Sequence, residues 1–465
     1  MLSVFLPLFI YNLGGHSLVD YDEAWYAKIA SNILRDKNPI ILTFNGEKFI
    51  EHPPLGFNIM ALSIAIFGHN EFAARLPSAI LAFGCIVTLF LIGRDLFNRY
   101  IGLASASILA SCIWFVYRAR TADLDSILLF FYLLTYYFAI KSLRNSIWLY
   151  ACFLSLLAAL LIKSMIVLTI VLPILILFKI KGFKYRKREF TSPILFFILL
   201  ALLTFSAMLI VNNFDTAFAK RYLLIGFKLN GTQQINFLDI PGSITMQYLH
   251  FGVRKWFYPF AFAFFASVIF IKKEKILLSI YAWVLILLFG FLSNAKTEIW
   301  HLIPVYPPLA LLAAYFSYKV KDVVFKLIAD NKKIWYKLSN AAYLIMFFSV
   351  ASFQIFLFRD EIKFFGREIS PIAYLAQKAR DYPQDLYLDT EVAVPAAASF
   401  YSGKNVTVFR LEAGNNSLPS LLTGEARQLI LITETWKLNL DNIPTESYEV
   451  LAEKDGHVLI RPTKT

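Results

Sequence analysis

The sequence predicts a polytopic α-helical membrane protein, with about eleven to thirteen transmembrane helices and a small external α/β domain at its C-terminal end. Three observations predict it. The 465 residues are 58% hydrophobic, 17% aromatic and only 17% charged, where a soluble domain carries about 25% charged residues. Apolar runs long enough to cross a bilayer recur through the first 360 residues. Beyond that point the runs give way to short alternating stretches between Gly, Asn and Pro.

The first run, MLSVFLPLFIYNLGG, is short for a span. It lacks the charged start and small-residue cleavage site of a signal peptide, and reads as a first transmembrane helix. A mixed stretch, 15–75, follows it. Ten further runs come next, at 76–95, 100–117, 124–140, 147–162, 164–180, 191–212, 256–271, 276–293, 302–318 and 338–358. The net charge of +13 does not point to nucleic acid. Its Lys and Arg sit in short loops between apolar runs, the pattern that fixes membrane orientation. Arg94 with Arg99, Lys141 with Arg144, the basic stretch 178–189, the loop 271–275 and the Lys-rich stretch Lys319 to Lys337 all fall on one side. That side is cytoplasmic. The other side then carries 15–75, the turns at 117–122, 163 and 294–300, the loop 213–255 and the tail from about 360.

The alternation depends on Lys163. A single helix over 147–178 would be close to 50 Å long, far beyond the ~30 Å hydrocarbon core. Two short spans that turn at Lys163 keep the charge out of mid-bilayer. One tilted helix with a snorkelling Lys163 would invert every later loop. Cys85, Cys112 and Cys152 all lie inside apolar runs, with no C-x-x-C spacing. They read as buried free thiols.

On the external side the acids stand out. DYDEAWYAKIA places Asp20, Asp22 and Glu23 where the chain leaves the membrane. Asp20 with Glu23 three residues on reads as a capping box, and Tyr26, Ile29, Ala30 and Ile33 then recur at helical spacing. Asp22 is not needed for that cap. EHPPLGFNIMALSIAIFG opens with Glu51 and His52, then two prolines suited to a first helical turn. It is short for a span and reads as an interfacial helix. YRARTADLDSILLF puts Asp123 and Asp125 at the external end of a span, after Arg118 and Arg120. Each acid alone fits a helix cap or an interfacial anchor. Together, Asp22, Glu51 and Asp125 come from three segments on one face, with Lys163, His250, Arg254, Lys255, Lys296 and His301 on the same side. Acids beside lipid are costly unless paired or used. Cations there suit a phosphate, and a carboxylate suits a base or a group that orients a nucleophile. Neither G-x-x-x-x-G-K-[ST] nor G-x-G-x-x-G occurs, so nothing suggests a nucleotide.

These segments resemble the lipid-dependent glycosyltransferases of the GT-C fold, in the aminoarabinose transferase and protein O-mannosyltransferase group. DYDEAWYAKIA resembles the family's Asp-Glu signature. FIEHPPLGFNIMALSIAIFGHNEFAARLPSAI resembles its Glu-Lys/His-Pro-Pro-Leu segment and the later Ala-Arg-Leu-Pro-Ser. RTADLDSILLF, LLIKSMIVLTIVLP, RKWFYPF and KTEIWHLIPVYPPLALL resemble further segments in the same order, with Ser164 in place of a usual Gly. The likeness covers residues 10–320.

The resemblance implies an inverting transfer of a sugar from a polyprenyl-phosphate donor to a lipid (lipid A-like) or protein acceptor, outside a bacterial inner membrane. It implies Asp22 as principal catalytic carboxylate, with Glu51 and Asp125 in support. Lys163, Arg254, Lys255, His52 and Lys296 would hold the donor phosphate. Glu23, Tyr26, Arg120 and His301 would line the substrate pocket. His52 stands where the aminoarabinose branch carries Lys, and His is mostly neutral at pH 7. Glu51 and His250 would hold a divalent metal, zinc, if the chain follows that branch; the mannosyl branch needs no cofactor.

In the tail, SPIAYLAQKARDYP reads as a helix capped by Ser370. DLYLDT, NVTVFR and RQLILIT read as strands, and EVLAEKDGHVLIRP as a hairpin with a Lys454-Asp455-Gly456 turn. This makes a periplasmic α/β domain over 361–465, beside a membrane domain over 1–360. The runner-up reading is a secondary transporter or lipid flippase. It would show paired halves and polar residues at mid-membrane, whereas the ionisable groups here crowd one face.

Overall fold

Every apolar run named above folds as helix in the residues the structure describes. The structure, a computed structural model, describes residues 2–163, 165–182, 187–211, 240–293, 297–328, 333–389, 395–409, 429–440 and 443–463. The chain divides into two units. One holds Met1–Asn12, Ile50–Gly56 and Leu76–Phe365; the other holds Leu13–Phe49, Phe57–Arg75 and Gly366–Thr465.

In the first unit, the longest helices carry the membrane character. Among the described residues five helices are long and apolar enough to cross a bilayer: Glu71–Leu96, Thr191–Ile210, Ile244–Phe270, Ile299–Lys326 and Ile334–Leu357. Arg99–Leu109 and Ile113–Ala119 make a sixth, bent by 72°. The chain is a multi-pass membrane protein. Among the described residues these long spans are fewer than the eleven to thirteen expected, because several runs are broken or shortened. The run around Lys163 is one: helix Trp148–Leu160 stops short of it, and Val171–Lys181 resumes after a 3-10 turn at Met165–Ile170. A cation that cannot stay in hydrocarbon interrupts the helix there.

The bends are held by specific polar contacts. Asn98 caps Arg99–Leu109 by accepting from the amides of Tyr100 and Ile101. At the break that follows, Ser111 Oγ accepts from Trp256 Nε1 at 2.8 Å, and its carbonyl accepts from Gln354 Nε2. Gln354 also accepts from the Lys255 amide at 3.0 Å and donates to the Val253 carbonyl at 3.2 Å. One buried amide side chain thus satisfies backbone groups that two irregular segments leave open. Elsewhere small residues let backbones close up. A Cβ on Gly93 would come within 2.7 Å of the Gly102 Cα, the close approach that membrane helices use.

In the second unit, helix Asp22–Asp36 packs with the segments 37–49 and 57–75 and with the tail. Strands β1 (Leu42–Phe44) and β2 (Glu47–Phe49) form a hairpin through Asn45 and Gly46, both at positive φ, as an Asn-Gly turn requires. The tail forms a five-stranded sheet of β3 (Asp385–Asp389), β4 (Val406–Phe409), β5 (Leu429–Glu434), β6 (Tyr448–Lys454) and β7 (His457–Pro462), in the order β4-β3-β5-β7-β6. The first three are parallel, and β7 runs antiparallel to β5 and β6. Ser370 caps helix Pro371–Lys378 through the Ala373 amide, and Asp455 and Gly456 turn the last hairpin at φ 48° and 76°.

Two expectations change here. The stretch 15–75, expected with the membrane part, falls largely into the unit that contains the tail. Its polar groups find their partners there. Asn45 exchanges two hydrogen bonds with Val406, at 2.7 and 2.6 Å, and the Tyr401 hydroxyl accepts from the Leu18 amide and donates to Glu71. Asp20 is not the cap of helix Asp22–Asp36. The residue before the helix is Tyr21, at φ 94°, with no side-chain cap, and Asp20 Oδ1 instead accepts from the Ala397 amide at 2.9 Å. The same oxygen also accepts from the Tyr21 amide at 3.3 Å, so a tail amide 377 residues away shares it with a local one.

Candidate active site

The segment YRARTADLD builds a buried group of charges in the first unit. Helix Ile113–Ala119 ends within it, and helix Asp125–Ser142 starts at its last Asp. Asp125 therefore sits in a first turn, where the helix dipole favours an anion. Arg118 reaches back across the turn. Its Nε and Nη2 donate to Asp125 Oδ2 at 2.9 and 2.7 Å, and its Nε lies 3.0 Å from Asp123 Oδ2. Lys163 Nζ, delivered by the broken run, donates to Asp125 Oδ1 at 2.6 Å. Asp123 Oδ1 accepts from the Asp125 amide at 2.8 Å, and Thr121 donates to its other oxygen. The Trp300 ring lies 5.1 Å from the Arg118 guanidinium.

Arg118 and Lys163 face Asp123 and Asp125, and all four side chains are largely buried. Such a set survives away from water only when fully paired and hydrogen-bonded. Burial pushes Asp123 up to about 7, against the pull of Arg118. Asp125 takes both cations, so it holds Arg118 and Lys163 in place rather than standing ready as a base. Lys163 uses one of its three ammonium donors on Asp125. The cluster is suited to receive an anion. His52 faces Lys163, and burial of its ring, then the Lys163 charge, push it down to about 3. It is neutral at pH 7 and offers a hydrogen bond, not a charge.

The other expected residues are distributed as follows. Glu51, in the same unit as Asp125, is exposed just before helix Leu55–Phe67. Asp22, in the second unit, is the first residue of helix Asp22–Asp36. Arg254 donates to Glu361 at 2.6 Å and lies 3.6 Å from the Phe251 ring centre. Lys255 is exposed. His301 closes a capping box with Glu298 and stacks on Phe291. Lys296 lies outside the described residues.

Three expected pocket residues turn out to hold the fold. Glu23 is 4% exposed and forms a two-pronged pair with Arg75, at 2.7 and 3.2 Å. Arg75 also donates to the carbonyls of Leu13, His16 and Ser17. Arg120 is 6% exposed and donates to the carbonyls of Leu8, Tyr11, Ile362 and Lys363. It clamps the two ends of the first unit's chain. Tyr26 is buried edge-on to Phe57. In each case a buried planar donor or ring completes a core. A structural zinc takes four ligands and a catalytic one keeps three. Among the described residues no group of three His, Cys, Asp or Glu side chains gathers to hold an ion. His250, the other residue expected to bind metal, lies on helix Ile244–Val253 with its ring edge-on to Phe257.

Arg118 and Asp123, absent from the expected site, are central to the cluster. Their signal in the sequence is the spacing Arg-x-x-x-x-Asp-x-Asp.

The chain resembles known proteins. A family model described as dolichyl-phosphate-mannose-protein mannosyltransferase matches residues 51–211. An undecaprenyl phosphate-alpha-4-amino-4-deoxy-L-arabinose arabinosyl transferase of Pseudomonas savastanoi pv. phaseolicola is 40% identical over 80 residues, 17% of this chain and 15% of that protein. The match therefore spans a small part of that relative's length. The crystal structure of ArnT from Cupriavidus metallidurans bound to undecaprenyl phosphate superimposes with a TM-score of 0.69 at 15% identity, covering 98% of this chain and 96% of that one. The archaeal oligosaccharyltransferase AglB from Archaeoglobus fulgidus, in complex with an inhibitory peptide and a dolichol-phosphate, gives a TM-score of 0.57 at 11% identity, covering 94% and 69%.

Proposed function

From a chain with the GT-C fold, of the aminoarabinose transferase and protein mannosyltransferase type, we propose an integral-membrane inverting glycosyltransferase that uses a polyprenyl-phosphate sugar donor. One observation carries the reading. The family match at 51–211 contains Glu51, His52, Arg118, Asp123, Asp125 and Lys163, the residues the fold gathers into, or places in the same unit as, the charged cluster.

In this reading Lys163 and Arg118, fixed by Asp125, receive the donor phosphate. They stabilise the charge that grows there as the bond from the anomeric carbon to the phosphate oxygen breaks. The acceptor oxygen attacks that carbon from the opposite side, so the configuration inverts. The polyprenyl phosphate leaves with the bonding electron pair. A phosphate acceptor is already a nucleophile. A hydroxyl acceptor would give its proton to a carboxylate, the role assigned to Asp22 by resemblance. Arg254 and Lys255 are further candidates for the donor phosphate. His52, neutral, positions rather than neutralises. The ArnT relative was solved with undecaprenyl phosphate, which supports that class of donor. The acceptor is a lipid, lipid A-like, or a protein. The chain lies in a bacterial inner membrane with its tail periplasmic, as the distribution of Lys and Arg suggests.

The test uses purified full-length protein with undecaprenyl phosphate carrying radiolabelled aminoarabinose or mannose. Wild type should transfer label to lipid A. Asp22→Ala and Asp125→Asn should each lower kcat at least a hundredfold. Turnover that survives Asp22→Ala removes Asp22 from the mechanism, and no transfer by wild type from either donor rejects the reading.

A further inference from the structure

In an open α/β sheet, ligands bind at the carboxyl ends of the parallel strands where the strand order reverses. The tail has such a point. The chain leaves β3, runs through helix Ala396–Ser402 into β4 on one side, and then enters β5 on the other side. Asp389 ends β3 at this place, next to the pair Leu388 and Ile432. It is 7% exposed, accepts from Thr433 at 2.6 Å, and pairs with Lys437 at 3.1 Å. Next to that buried pair, Trp436 is 56% exposed. Its indole N–H is tied to Glu434, and the Lys437 ammonium lies 5.7 Å from its ring. The ring is held, yet much of its surface is open to solvent.

We propose that this edge, built on Asp389, Glu434, Trp436 and Lys437, is a carbohydrate-binding subsite. A sugar ring presents a C–H face that packs on a flat aromatic, and a rim of hydroxyls that both donate and accept. Glu434 and Lys437 supply an acceptor and a donor at the edges of the indole. Asp389 holds Lys437 in position. Asp389, Glu434 and Lys437 together carry one net negative charge, which suits hydroxyls better than a phosphate group. That the sugar belongs to the acceptor rests on the transferase reading; the binding of sugar does not.

The experiment is saturation-transfer NMR on the detergent-solubilised full-length protein, with the methyl glycosides of mannose, glucose and glucosamine as probes. At least one glycoside should receive transfer. The transfer should fall at least tenfold in Trp436→Ala and persist in Trp436→Phe and in Asp22→Ala. No transfer to any of the three, or transfer that Trp436→Ala leaves unchanged, overturns the subsite. So does quenching of the Trp436 fluorescence, taken as wild type minus Trp436→Phe, by brominated phospholipid in nanodiscs, because the ring would then be a membrane anchor. Glycoside binding by a protein with no transferase activity sinks the transferase reading and keeps the subsite. Transferase activity without glycoside binding does the reverse.

Discussion

Arg118 divides its guanidinium between two carboxylates, and that division governs how Asp123 titrates. Asp125 has a second cation in Lys163; Asp123 does not. With burial the dominant effect, Asp123 rises to about 7. The same carboxyl in an unfolded chain titrates near 4. Between those values the folded chain holds a proton the unfolded chain lacks, so the contribution of Asp123 to stability falls as pH rises through that window. Asp123→Asn is neutral throughout. The melting temperature of the variant minus that of wild type should therefore increase from pH 5 to pH 8 in detergent. A difference that stays flat would show that Asp123 is ionised across the range. The sequence disclosed these acids through YRARTADLD. It could not disclose that Lys163, 38 residues later, is the partner of Asp125. Nor could it separate Arg118, which pairs with acids, from Arg120, which binds carbonyls. The two differ only in where the turn aims them.

Elements in the first unit are interrupted where charge or backbone demands it, and packed tightly elsewhere. The helix expected to end at Lys163 does end before it, because the cost of a lone ammonium in hydrocarbon can be judged from the sequence. The close approach of helices Glu71–Leu96 and Arg99–Leu109 is of another kind. It depends on what faces each glycine. A Cβ at Gly102 would collide with the Phe90 carbonyl oxygen and lie 2.9 Å from the Arg94 amide. Backbone cannot give way as a flexible side chain can. Gly102→Ala should destabilise the protein by on the order of 1–3 kcal/mol, read as a lower thermal midpoint in detergent. Unchanged stability would show that the two helices can move apart freely.

At the scale of the molecule, orientation follows from where Lys and Arg lie, and it can be checked directly. Cys85, Cys112 and Cys152 are free and buried, so background thiol labelling in intact cells should be low. A cysteine at Asp455→Cys, in the tail hairpin, should react with a membrane-impermeant maleimide from outside once the outer membrane is permeabilised. One at Lys272→Cys, in a loop expected to be cytoplasmic, should react only after lysis. Equal labelling of both positions would discard the assigned topology.

By itself the sequence determined the membrane class, the helical character of each apolar run, the strands and capped helix of the tail, and the segments that carry ionisable groups. These follow from hydropathy, period and turn chemistry, all local properties of the chain. Only the tertiary structure decided partnership. It gave Glu23 to Arg75, Asp20 to a tail amide, Arg120 to four carbonyls, and Asp125 to both Arg118 and Lys163. It also moved most of 15–75 into the unit of the tail. The physical reason is that a buried polar group takes the best donor or acceptor that folding brings within about 3 Å, and distance along the chain does not limit that choice.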